Sequence, residues 1–289
     1  MFLEKQYEII KDYPKAIDWE EYCNKIIEEY NNLLSSTNDE LTFQTFFEEN
    51  PSFVPGAFEL FGSSGHYPYM DALISQPEIG TLFQRKPDFV WLSQDSLSFC
   101  PVFIEIENPN KKMFNKNGTT TADFNQALNQ LREWQYILNQ TNNIQVLYDY
   151  FNLPIDIRKK TFNPQFLLIY GRRFEYENDD LLTGIRAAHK TDKIDIISYD
   201  RLTPSYDSKQ LLTCKMMHGK YRVINIPPTF NYIPLCANTL SQLINFKERI
   251  NDMKYTSESR KKFLVERYQY WYSFGKLKSR GLIRSNDCE

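Results

Sequence analysis

Histidine and cysteine are scarce in this 289-residue chain, and their spacing removes several classes of function. The three histidines, His66, His189 and His218, stand far apart, so a metal site built on imidazole is not expected. The five cysteines (Cys23, Cys100, Cys214, Cys236, Cys288) are odd in number and contain no CxxC pair. That pattern supports neither a zinc ribbon nor a disulfide framework. No stretch approaches the apolar run that a membrane span needs. Residues 1–10 carry Glu4, Lys5 and Glu8 where a signal peptide would be apolar. Internal repeats and low-complexity tracts are also missing. These absences predict a soluble, reduced, cytoplasmic protein with no membrane partner and no small organic cofactor.

What remains is an ordinary globular composition. Hydrophobic residues make up 42% and charged residues 25%, which argues against wholesale disorder. Aromatics reach 15%, most of them expected to pack cores and interfaces. The net charge of −3 hides an asymmetry. Residues 1–50 hold 12 acidic residues against 4 lysines, whereas residues 254–284 hold 9 basic against 2 acidic. The basic end suits a phosphate-binding surface, a solvated helix face, or a helix docked on acidic surface of its own or a neighbouring chain.

Periodicity predicts helices over 17–36, from about 40 to Asn50, and over 121–139, around 178–189, 239–252 and 257–274. Ser35, Ser36, Thr37, Asn38 and Asp39 end the first helix and cap the second. Pro51 stops the second at Asn50. Strands are predicted over 81–92, 99–106, 166–170 and 194–199, the first two as an antiparallel hairpin around Ser93–Ser96. This order gives an α/β three-layer domain with a mixed central sheet, flanked by N- and C-terminal helices. The expected division is a helical segment over 1–40, the α/β domain over 41–205 and a basic helical extension over 206–289.

Glu105 and Glu107 are two apart on a strand and so project from one face, about 7 Å apart. Ile104 and Ile106 face the opposite way. Asp88 on the partner strand can converge on the same spot. Three carboxylates beside an apolar core repel one another and are costly to keep ionised without a cation. A hard divalent ion, Mg²⁺ or Mn²⁺, takes such oxygen ligands and can activate water against a phosphate. The alternative is a half-exposed strand whose acidic residues form its wet face.

The surrounding residues add a resemblance. Arg85-Lys86-Pro87-Asp88-Phe89 followed by Phe103-Ile104-Glu105-Ile106-Glu107-Asn108-Pro109 resembles the core motif of PD-(D/E)XK nucleases. Within that superfamily the chain is similar to the C-terminal nuclease domain of the Shedu antiphage defence proteins. Further matches run in order from about 43 to 202. They are Phe46-Phe47-Glu48-Glu49-Asn50-Pro51, Ala127-Leu128-Asn129-Gln130-Leu131 with Trp134, Leu168-Ile169-Tyr170-Gly171-Arg172, and Ile196-Ile197-Ser198-Tyr199-Asp200-Arg201-Leu202.

The resemblance implies a PD-(D/E)XK fold, a metal-dependent DNA endonuclease or nickase in a defence system, and a homo-oligomer, a tetramer by analogy. It makes Asp88 and Glu105 metal ligands. Glu48, ahead of Glu49, becomes the first-helix carboxylate that supports the metal or its waters. Gln130 orients the site or contacts the nucleic acid backbone. Glu107 stands where the superfamily usually has Lys. Some restriction enzymes resembling this superfamily carry Glu there, so Glu107 is expected as a base or third ligand, with Lys111 or Lys112 free to bring charge from the following loop. The other reading is a degenerate site on a protein that binds DNA, or DNA ends, or serves as an oligomeric scaffold. Arg260, Lys261 and Lys262 are the basic residues expected to touch DNA. Shedu-like proteins carry variable N-terminal sensor domains, and about 40 residues precede the nuclease-like part here.

Overall fold

The computed structural model describes residues 4–36, 39–58, 66–79, 82–284 and 286–289. Helices α1 (Trp19–Ser36) and α2 (Glu40–Glu49) precede strands β1 (Ala72–Ser75), β2 (Phe89–Gln94) and β3 (Ser98–Ile106). Helices α3 (Ala122–Leu138), α4 (Thr141–Tyr150) and α5 (Ile155–Arg158) lead to β4 (Thr161–Phe162) and β5 (Gln165–Ile169). Then come α6 (Asp180–Ala188), β6 (Ile194–Ile197), β7 (Leu212–Met217) and β8 (Lys220–Asn225). The chain closes with α7 (Ala237–Leu240), β9 (Leu243–Ile244), α8 (Phe246–Ile250) and α9 (Glu258–Gly275).

Local chemistry sets the key boundaries. The Asp39 carboxylate accepts from the Leu41 and Thr42 amides and so caps α2, worth about 1 kcal/mol. Thr121 caps α3 through the Phe124 amide. Thr37 and Asn38, expected between the first two helices, lie outside the described residues, as does Thr81, the expected start of the first strand. That strand starts instead at Phe89.

The strands form one mixed sheet in the order β6-β5-β3-β2-β1-β7-β8-β9, with β4 beside β3. β2 is antiparallel to both β1 and β3, while β5, β6 and β7 run parallel to their neighbours on the path from these. The C-terminal ends of β1, β3, β5, β6 and β7 therefore share one edge with the start of β2. In open α/β sheets that edge is where ligands bind.

Two apolar layers cover the sheet. Phe43, Phe46 and Phe47 of α2 and Tyr22, Ile26 and Tyr30 of α1 pack on Leu73, Phe89, Trp91, Ile104 and Ile106. Phe124, Leu128, Leu131 and Trp134 of α3 pack on Val90, Leu92, Phe103 and Leu168. The α/β three-layer expectation is met. The stretch over 206–289, expected as a helical, basic extension, holds α7, α8 and α9 and also strands. That stretch adds β7, β8 and β9 to the same sheet, and its Leu212, Val223, Phe246 and Trp271 share the core of α3. Among the described residues no helix is long and apolar enough to cross a membrane.

Candidate active site

Asp88 immediately precedes β2, at the ligand-binding edge of the sheet. Its amide donates to the Ile104 carbonyl (3.1 Å), and its Oδ2 accepts from the Ile106 amide (2.8 Å). The aspartate thus brackets Glu105 between two anchors. Extending the Phe89–Ile104 register by one residue sets Asp88 opposite Glu105. Phe103 and Leu168, on the face of Glu105, lie in the α3 core, whereas Ile104 and Ile106 lie in the α2 core. Asp88 and Glu105 therefore face α3 together.

Burial dominates the electrostatics. It pushes the Asp88 carboxyl up to about 7, against the Ile106 hydrogen bond and with help from Glu40 and Glu107. Glu105 rises to about 10, through burial and then the charges of Asp88, Glu107 and Glu40, with a Gln130 hydrogen bond opposing. Its Oε2 is sealed from solvent and lacks a hydrogen-bond partner among the described residues. Two adjacent carboxyls, one with an orphaned oxygen, are a donor set for a hard cation. Mg²⁺ is commonly held by one or two carboxylates, keeping waters and substrate phosphate for its other positions. No group of three His, Cys, Asp or Glu among the described residues is arranged to hold a metal. The residues fit an ion held by this pair.

Glu107 is engaged elsewhere. It forms an ion pair with Lys111, four residues on. Burial pulls the Lys111 ammonium down, but Glu107 outweighs it and the net shift is upward. Glu107, expected as a base or third ligand, thus sits against a lysine in this arrangement. Glu40, the first residue of α2, stands nearby. Partial burial and Glu107 raise its carboxyl, and Lys111 offsets them.

Glu48, expected to support the metal or its waters, lies near the C-terminal end of β1. At the far end of α2 it accepts from Ser75 Oγ, and pairs with Lys215 Nζ of β7 at 3.0 Å. Its backbone carbonyl accepts from Thr213 Oγ1 at 2.6 Å. These contacts tie it to β1 and β7 on the α2 side of the sheet. Glu49 pairs with Lys254 at 2.6 Å. Gln130, from α3, is buried beside Glu105, and its Oε1 accepts from Arg85 Nη1 at 3.1 Å. Lys112 is exposed, and its carbonyl accepts from Thr121 Oγ1 at 2.7 Å, so its backbone is held at the start of α3.

The family model described as Shedu protein SduA, C-terminal, matches residues 37–203, more than half of the chain. The chain belongs to the Shedu family. Membership carries the coarser functional class with it, antiphage defence. No curated protein matches the chain. The motif segments of this Shedu chain meet beneath the acidic edge. Tyr199 Oη donates to the Glu107 carbonyl (2.6 Å), and the Tyr199 amide donates to Gly171 O (3.1 Å). Asp200 binds Arg172 Nε (2.8 Å) and the Arg173 amide (2.5 Å). Gly171 takes φ +61°, and a Cβ there would sit 2.9 Å from the Lys111 carbonyl. These contacts hold the loop that carries Glu107 and Lys111.

Arg260 requires a further correction. It is 1% exposed, donates to the Pro14 and Phe230 carbonyls and Asn231 Oδ1 at 2.9–3.0 Å, and lies against the Tyr13 and Phe263 rings. Buried this way, it does not present its charge to a phosphate. Lys261 pairs with Glu258 at 3.1 Å and is largely covered. Lys262, near Glu266, is exposed. Two residues near the site were missed by the sequence reading. Glu40 gave no signal, because an acidic residue in a first helical turn already suits the helix dipole. Arg85 stood three residues before Asp88, and its position was the available hint.

Proposed function

We propose that this chain is a metal-dependent DNA nuclease, cutting or nicking phosphodiester bonds in antiphage defence from a PD-(D/E)XK-like site. The observation that carries the reading is the Asp88–Glu105 pair, facing α3 at the ligand-binding edge with one glutamate oxygen unpartnered. A divalent ion held there would neutralise charge on a phosphate and favour attack by water. Asp88 and Glu105 hold the ion. Gln130 orients Glu105. Lys111, paired with Glu107, supplies positive charge to the substituted motif position only when a phosphate draws it out of that pair.

Cleavage of linear and circular DNA in Mg²⁺, in Mn²⁺ and in EDTA tests this directly. Metal-dependent cutting is expected, with Glu105→Ala inactive but binding DNA at least as well as the parent, since losing a carboxylate relieves repulsion against phosphates. Cutting by Glu105→Ala at the parental rate would assign the activity elsewhere. The Glu107–Lys111 pair favours a second reading, a degenerate DNA-binding protein. It gains if the parent binds DNA but cuts in no metal.

A further inference from the structure

We propose that the outward face of α3, together with Arg85, is the wall along which a DNA strand is laid into the Asp88–Glu105 site. The inference deepens the nuclease reading and rests on it. An open groove of about 510 Å³ runs beside the helix, lined by Arg85, Asn125, Gln126, Asn129, Gln130 and Glu133 among others. α3 has two unlike faces. Phe124, Ala127, Leu128, Leu131 and Trp134 are buried in the core, while the positions between them supply the groove's amides.

Arg85 is the cationic residue of the groove. Among the described residues no carboxylate pairs with it. Its Nη1 donates to Gln130 Oε1 at 3.1 Å. With the Gln126 amide turned so that its oxygen faces the guanidinium, Gln126 accepts at 3.0 and 2.8 Å. Trp134 Nε1 donates to the Arg85 carbonyl at 3.3 Å, pinning the backbone against α3. The guanidinium is therefore held by neutral groups, and its full charge is available to an anion. Its planar fork matches a phosphate. Gln130 lines the groove and touches both Arg85 and Glu105, so it stands between the groove and the acidic pair.

The remaining chemistry selects the occupant. Ala122 to Glu133 spans about 16 Å of helix, enough for roughly four or five nucleotides at 3.4 Å each. Asn and Gln offer both donors and acceptors, which suits base edges as well as phosphate oxygens. Glu133 places a negative charge at one end, where it repels phosphate and accepts from base amino groups. The track is thus a short strand with one phosphate fixed by Arg85.

The test is binding of a fluorescein-labelled DNA oligonucleotide, single-stranded and duplex, to the full chain in EDTA across a salt series. Arg85→Gln should weaken binding about tenfold and reduce the log–log salt slope by about 0.9, the loss of one phosphate contact. Asn125→Asp with Asn129→Asp should weaken it at least as much, while Lys25→Glu on α1, across the sheet from α3, leaves it unchanged. Circular dichroism and thermal melting confirm that the variants fold. Folded groove variants that bind like the parent overturn the groove even if the parent cuts DNA. Loss of binding in those variants, with a parent that never cuts, keeps the groove and removes the nuclease reading. A parent that binds RNA but no DNA, or neither, overturns the assignment.

Discussion

Ionising a carboxyl whose oxygen is sealed from water and lacks a partner is costly, and Glu105 makes that cost measurable. The folded state holds protons on Asp88 and Glu105 more tightly than the unfolded chain does, with values raised from 3.8 to about 7 and from 4.5 to about 10. A raised carboxyl contributes stability below its unfolded value and loses it as pH climbs through the folded value. The metal-free protein should therefore melt at lower temperature at about pH 8 than at about pH 5, as far as these groups decide it. Mg²⁺ should recover more stability at the higher pH. Glu105→Gln should raise the melting temperature at the higher pH by roughly 2–4 °C for each kcal/mol relieved, and abolish the Mg²⁺ gain. Scanning fluorimetry in EDTA and in Mg²⁺ checks this, and a Mg²⁺ gain that survives Glu105→Gln places the ion elsewhere. Arg260 gives the converse case. Arg260→Met leaves the Pro14 and Phe230 carbonyls unpaired and should cost at least about 1–3 kcal/mol in urea unfolding. Lys262→Met should stay within about 0.5 kcal/mol, and similar losses for both would contradict the burial of Arg260.

Among the elements, close helix approach is the feature that single residues control. Gly275 ends α9 against α7, where an added Cβ would fall 2.0 Å from the Ala237 carbonyl oxygen. Gly184 on α6 has nothing within 4 Å of the same position. Gly184→Ala should stabilise by about 0.5–1 kcal/mol, because alanine suits an exposed helix better. Gly275→Ala should destabilise, because backbone has to move. Paired denaturant titrations decide it, and equal effects would mean that α9 does not sit on α7. The long periodic elements were legible: α1, α3 and α9 lie within two residues of their expected bounds. β1 escaped notice because its four residues, Ala72, Leu73, Ile74 and Ser75, are all buried and carry no alternation. β7 and β8 did carry a signal, a hairpin turn at His218-Gly219 with φ of +49° and +71°, followed by Tyr221 and Val223 alternating with Lys220 and Arg222.

At the scale of the whole molecule, the expected boundary near residue 205 cuts through the sheet. β7 covers the edge of β1 that β2 leaves open, and Leu212, Val223, Leu264 and Trp271 belong to the same core as Phe103 and Leu128. A chain ending at residue 205 should fail to fold cooperatively, giving weak near-ultraviolet dichroism and poorly dispersed amide resonances. A well-dispersed spectrum would restore the boundary. The charge asymmetry also resolves partly within the chain. Lys254 pairs with Glu49 at 2.6 Å and Lys5 with Asp287 at 2.9 Å. Trp271 is buried against Tyr7, Tyr232 and Phe274, so this aromatic serves the core and does not stack on bases.

The sequence by itself determined the local and periodic features: helix faces, the Asp39 and Thr121 caps, and the strand alternation that sends Glu105 one way and Ile104 and Ile106 the other. Family membership was equally a property of residue order. Only the tertiary structure decided which charges meet. Glu107 could face a metal or a lysine, and the turn after β3 chose Lys111. Glu48 and Glu40 lie at opposite ends of one helix, and the crossing of α2 over the sheet gave Ser75 and Lys215 to the first and the edge near Glu107 to the second. Side-chain period is dictated by backbone geometry within a few residues. Burial, and ion pairs such as Glu48–Lys215 and Glu49–Lys254, depend on segments far apart in the chain, and no local pattern encodes that proximity.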